Sequence, residues 1–194
     1  MPNAPSFTKI WDPLVRIFHW ALVLSFFIAY ITEEDFLIIH SYAGYIVLGL
    51  LFIRIIWGFI GSRHARFSDF IYSPKDIKHF LKNTLRLKAK RYMGHNPAGG
   101  VMILLMIISL LMTTISGVIV YGAEEQAGPL ASWFTQSHSF WGEAFEEIHE
   151  LFANFTLLLI FVHVAGVIIE SFIHKENLVK SMIDGMKRTD NNSQ

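Results

Sequence analysis

His149 to His163 reads H-E-L-F-A-N-F-T-L-L-L-I-F-V-H, two histidines fourteen residues apart with only Glu150 charged between them. On a helix, fourteen steps return to within about 40° of the starting direction and climb about 21 Å. Both imidazoles therefore project from one face, one near each side of a membrane's hydrocarbon layer. Ionisable side chains inside a span are costly and mark function. Two stacked on one inward face favour two flat metal cofactors, one above the other, and the cofactor this points to is haem.

The composition agrees. The chain has 194 residues, 53% of them hydrophobic, and a positive mean hydropathy, which points to one membrane-embedded domain over residues 1–194. Its net charge of zero gives no footing for nucleic acid. There are no cysteines, which excludes disulfides, thiolate metal sites and the covalent attachment of a c-type haem. Four segments are long and apolar enough to span a bilayer, at about residues 14–31, 42–60, 101–121 and 151–169. The expected fold is an all-α, four-transmembrane-helix bundle with haem b in its core, and a cytoplasmic loop over residues 61–100.

Charge gives the orientation. All sixteen Lys and Arg lie in or beside the two tails and the long middle loop. The segments 32–41 and 122–150 carry none, yet hold Glu33, Glu34, Asp35, Glu124, Glu125, Glu143, Glu146, Glu147 and Glu150. The positive-inside rule then puts both termini and the long middle loop in the cytoplasm and the acidic loops outside.

Depth pairs the histidines. His19 lies five residues after the inner start of the first span, and His163 six before the inner end of the fourth. His40 and His149 both lie at the outer edge. The expected pairs are His19 with His163 and His40 with His149, as axial ligands and metal-binding residues of two haems. With imidazole on both axial positions no coordination site stays open, so such iron transfers electrons. Arg54, fourteen residues after His40, reads either as a snorkelling surface cation or as a partner for a haem propionate. Arg16 is a further cofactor-binding candidate.

Smaller features fill the loops. Asp12-Pro13 reads as the start of the first helix. Ser73-Pro74 with Asp76 reads as the start of an interfacial amphipathic helix, with Lys75, Lys78, Lys82 and Arg86 on its basic face. His64, His79 and His138 read as solvated. Ser109, Thr113, Thr114, Ser116 and Gly117 read as packing residues. G-H-N-P-A-G-G, residues 94–100, opens the third span. It reads either as a simple turn before a helix or as the lining of a ligand, for which Asn96 offers an amide donor, His95 a group that exchanges protons near neutral pH, and Gly99 and Gly100 room for a ring.

W-D-P-L-V-R-I-F-H-W (residues 11–20), H-S-Y-A-G-Y (40–45), G-H-N-P-A-G-G, the His149–His163 pair and H-K-E-N-L-V-K-S-M-I (174–183) together resemble the bacterial cytochrome b561 superfamily. Within it they are similar to the b-type cytochrome subunits of nickel–iron hydrogenases and the gamma subunits of formate dehydrogenase. The resemblance implies two non-covalent haem b groups ligated by His19, His40, His149 and His163, and a quinone pocket lined by Asn96 and Gly99 with His95 adjacent. It also implies electron transfer between the membrane quinone pool and a periplasmic partner, either a cytochrome c or an oxidoreductase subunit. The alternative within the superfamily is a stand-alone superoxide oxidase. That activity would call for basic residues near an outer site, and the outer loops have none. A haem-free transporter would call for acidic residues in mid-span, which are also missing.

Overall fold

The computed structural model of the chain describes residues 6–33, 35–134 and 140–189. Four helices are long and apolar enough to cross a membrane: α1 (Pro13–Ile31), α2 (Leu37–Ile60), α4 (Pro97–Ala123) and α5 (Phe140–His174). Their most apolar windows have mean hydropathies of 1.9, 2.1, 2.6 and 2.3. Between α2 and α4 lies α3 (Pro74–Leu85); α6 (Leu178–Asp184) follows α5. Two short strands, β1 (Ser6–Lys9) and β2 (Met186–Thr189), pair antiparallel with Ser6 opposite Thr189.

The four long helices are apolar nearly all round, as membrane spans are. Large apolar side chains stay exposed along each of them, including Leu24, Phe52, Ile108 and Phe161. Exposure on this scale marks surface that meets lipid. The chain is therefore a multi-pass membrane protein.

The helices outrun the apolar segments that announce them. α2 starts five residues before residue 42, and α5 extends well beyond both ends of 151–169. A helix satisfies its own backbone and need not stop where the hydrocarbon does. Glu143 in the first turn of α5 also complements the partial positive charge of that terminus. At the other boundaries the expected signals act. The Asp12 carboxylate accepts from Val15 N–H at 2.9 Å and Pro13 opens α1. The Ser73 hydroxyl accepts from Asp76 N–H at 3.3 Å at the start of α3.

The chain divides into two compact units. The first comprises residues 1–18, 54–103 and 161–194; the second comprises 19–53 and 104–160. Leu51, Val47, Phe26 and Leu110 form the buried core of the second unit. Beside it the hydroxyls of Ser109 and Thr156, both buried, share a 2.7 Å hydrogen bond between α4 and α5. Thr113, Thr114 and Ser116 bond instead to carbonyls of their own helix, so their polarity costs nothing in the apolar interior.

The first unit is held by polar ties. Asp12 accepts from Trp57 at 3.1 Å and from the Ser62 hydroxyl. Burial alone would raise its pKa, but the bonds from Ser62, Val15 N–H and Trp57 outweigh that and hold the carboxyl below the usual range. Glu176 takes two bonds from Arg91, at 2.8 and 3.2 Å, and one from Arg188 N–H at 3.0 Å. These contacts fasten residue 91 and β2 to the turn that follows α5.

Candidate functional site

In the second unit the structure brings His40 and His149 together, with ring centroids 5.9 Å apart and planes at 71°. Each ring is anchored by Nδ1 to a backbone carbonyl: His40 to Ala29 at 2.9 Å and His149 to Thr113 at 2.8 Å. A carbonyl only accepts, so in each ring Nδ1 carries the proton and Nε2 keeps its lone pair. That is how a ligating histidine is prepared, with its tautomer fixed by the far nitrogen.

Two further features make space. A Cβ at Gly117 would stand 2.7 Å from His149 Cε1, so α4 passes the imidazole only because residue 117 has no side chain. Gly44, one turn after His40, has open space where a Cβ would stand. A metal–imidazole bond is about 2 Å long, so one metal atom fits between rings spaced this way. Among the described residues no three or more His, Asp or Glu side chains gather around a point. A metal held by this pair must find its other donors in a ligand such as a porphyrin ring. The donor set and the surrounding space fit haem.

His19 lies in α1 and His163 in α5, in different units. Their pairing rests on sequence register.

In the first unit, Arg54 is only 4% exposed, which rules out snorkelling. Its guanidinium lies 5.2 Å from the Phe67 ring centre, and one terminal nitrogen is buried with no hydrogen-bond partner among the described residues. A buried cation left incomplete suits an incoming carboxylate. Arg16 donates to the Ile183 carbonyl at the end of α6, and its Nε is buried with no partner among the described residues.

Asn96 caps α4, its side-chain oxygen accepting from Gly99 N–H at 2.7 Å. No partner for the amide nitrogen is found among the described residues, so it is available as a donor to a ligand. His95 lies between Trp11 and Phe70, with centroid distances of 4.6 and 4.8 Å. Burial, reinforced by the positive charge of Arg54 and Lys187, pushes its pKa down to about 3. His95 is therefore neutral at physiological pH, and its Nδ1 is buried with no partner among the described residues. This corrects the expected proton exchange near neutrality: the ring can offer a hydrogen bond, while its charged form is too costly to populate.

Other expectations also change. A Cβ at Gly100 would collide with the Phe70 carbonyl, so that glycine admits neighbouring backbone rather than a ligand ring. His64 is half-buried and bonds Asp69 at 2.8 Å. His79 is exposed as expected and bonds Asn83. His138 lies outside the described residues. Sequence reasoning missed Gly117 and Thr113 as site residues. Thr113 acts through its backbone carbonyl, which no side chain advertises, and Gly117 through an absence; a glycine in a span facing a candidate ligand was the available signal.

Among known proteins, the chain is 27% identical to a "Probable Ni/Fe-hydrogenase B-type cytochrome subunit" of Rhizobium leguminosarum bv. viciae, over 91% of this chain and 87% of that protein. Proteins of the same description from Azotobacter vinelandii and Cupriavidus necator are 24% and 25% identical, over 92% and 93% of this chain and 87% and 86% of theirs. The family model described as prokaryotic cytochrome b561 matches residues 10–185, nearly the whole chain, and the chain belongs to that family.

Proposed function

We propose that this membrane b-type cytochrome is a di-haem electron carrier between the quinone pool of the bacterial inner membrane and an oxidoreductase on the outer face. The relatives' description makes a nickel–iron hydrogenase the favoured partner; a periplasmic cytochrome c is the other candidate. The observation that carries this reading is the His40–His149 pair, with both Nδ1 atoms tied to carbonyls and both Nε2 atoms left for a metal. Haem held by His40 and His149 would supply one-electron redox chemistry there. Helix register alone assigns His19 and His163 to the second haem.

The remaining residues bind and orient. Arg54 offers its buried guanidinium to a propionate. Asn96 donates its free amide hydrogen to a quinone carbonyl, and neutral His95 lies next to it in sequence. The basic segments that flank it favour the cytoplasmic boundary for this quinone site, where protons can be exchanged with water.

Haem content per chain tests the reading. The pyridine haemochrome of the wild type should give two b haems per polypeptide, and His40→Ala or His149→Ala should lower it to one. One haem in the wild type, or full loading in both variants, would overturn it.

A further inference from the structure

The electron-transfer reading leaves α3 unused. It is a single twelve-residue helix in the loop between two spans. Phe80, Thr84 and Ile77 occupy an arc of about 60°; Phe80 is 4% exposed and packs against Tyr92 at 5.8 Å. The apolar stripe does not end there. Leu81 and Leu85 continue it through roughly the next 80°, yet they are 48% and 87% exposed. Lys78, Lys82 and Lys75 follow on the same side. The apolar surface thus runs off the protein and ends against a row of ammonium groups.

The end of α3 adds an independent observation. Leu87 N–H bonds the Thr84 carbonyl and Lys88 N–H the Asn83 carbonyl, both at 2.9 Å, closing a Schellman turn. The residue at its bend takes a left-handed conformation that favours glycine, and here it is Leu87, with φ 56°. A leucine at this bend is strained, while its side chain is 61% exposed. Within the chain it gains little in return. Lys88 and Lys90 follow directly.

We infer that α3 and its terminal turn form a docking surface for anionic phospholipid, with Leu81, Leu85 and Leu87 entering the acyl boundary and Lys75, Lys78, Lys82 and Lys88 meeting headgroup phosphates. Apolar insertion beside basic side chains is how interfacial helices hold an anionic leaflet. The loop leaves one span at Ile60 and enters the next at Pro97, so α3 is tethered close to the membrane surface. A lipid surface, unlike a protein partner, is present there at all times.

The chain has no native cysteine, so single cysteines report position cleanly. Full-length Leu85→Cys, Leu81→Cys and His79→Cys proteins with intact haem spectra would carry an environment-sensitive fluorophore in nanodiscs containing spin-labelled lipid. In phosphatidylglycerol discs the label at 85 or 81 should be quenched and that at 79 spared. Each Lys→Gln change at 75, 78 or 82 should weaken docking about fivefold, and the three together about a hundredfold. Leu87→Gly should raise the melting temperature in neutral detergent yet weaken docking. Quenching at 81 and 85 no greater than at 79 would overturn the proposal and point to a protein partner. Equal quenching in pure phosphatidylcholine discs, or no loss in the triple variant, would overturn the recognition of anionic lipid.

Discussion

The first unit, residues 1–18, 54–103 and 161–194, carries all sixteen Lys and Arg of the chain and seven acidic side chains; the second carries nine acidic side chains and no Lys or Arg. Their ways of holding functional groups differ in step. The first unit fixes itself with ion pairs and charged hydrogen bonds, such as Arg91 on Glu176 and the ties to Asp12. The second orients its histidines with backbone carbonyls and makes room with glycine. A carbonyl fixes an imidazole in an apolar span without adding a second charge to bury. In the basic unit the charged side chains can be used to bind anions.

The sharpest way to break this comparison is to fill the space that the second unit depends on. Gly117→Ala places a Cβ against the His149 ring and should remove most of the haem proposed to lie between His40 and His149. The other haem should stay, as read by haemochrome content and the reduced spectrum. Retention of both haems with unchanged spectra would show that the close approach is not needed.

The next test separates the two roles of Asn96. Asn96→Asp keeps the oxygen that caps α4 but deletes the amide donor. It should leave both haems in place and slow haem reduction by a quinol analogue about tenfold, as expected from one lost hydrogen bond. Asn96→Leu should add a loss of stability of about 1 kcal/mol from the missing cap. Wild-type reduction by quinol in Asn96→Asp would move the quinone away from the basic unit.

The smallest effect concerns the acidic unit. Nine carboxylates without a counter-cation should steer a basic partner surface, so stopped-flow electron transfer with the partner should slow several-fold between low and physiological ionic strength. A flat salt response would mean that these side chains serve topology alone.

Four spans and their order were legible in the sequence because they follow from a local quantity, apolar run length, and the fourteen-residue spacing was enough to single out His149 and His163 as candidates. The helix starts at Asp12-Pro13 and Ser73-Pro74 were legible for the same reason, since a cap is made within four residues. Tertiary structure decided what depended on distant neighbours. It put Gly117 against His149, set the His149 tautomer from a carbonyl thirty-six residues away, and buried His95 between Trp11 and Phe70 so that it stays neutral. It also joined β1 to β2 across nearly the whole length of the chain. A backbone carbonyl or a missing Cβ has the same appearance in any sequence, and only packing shows which of them faces a histidine.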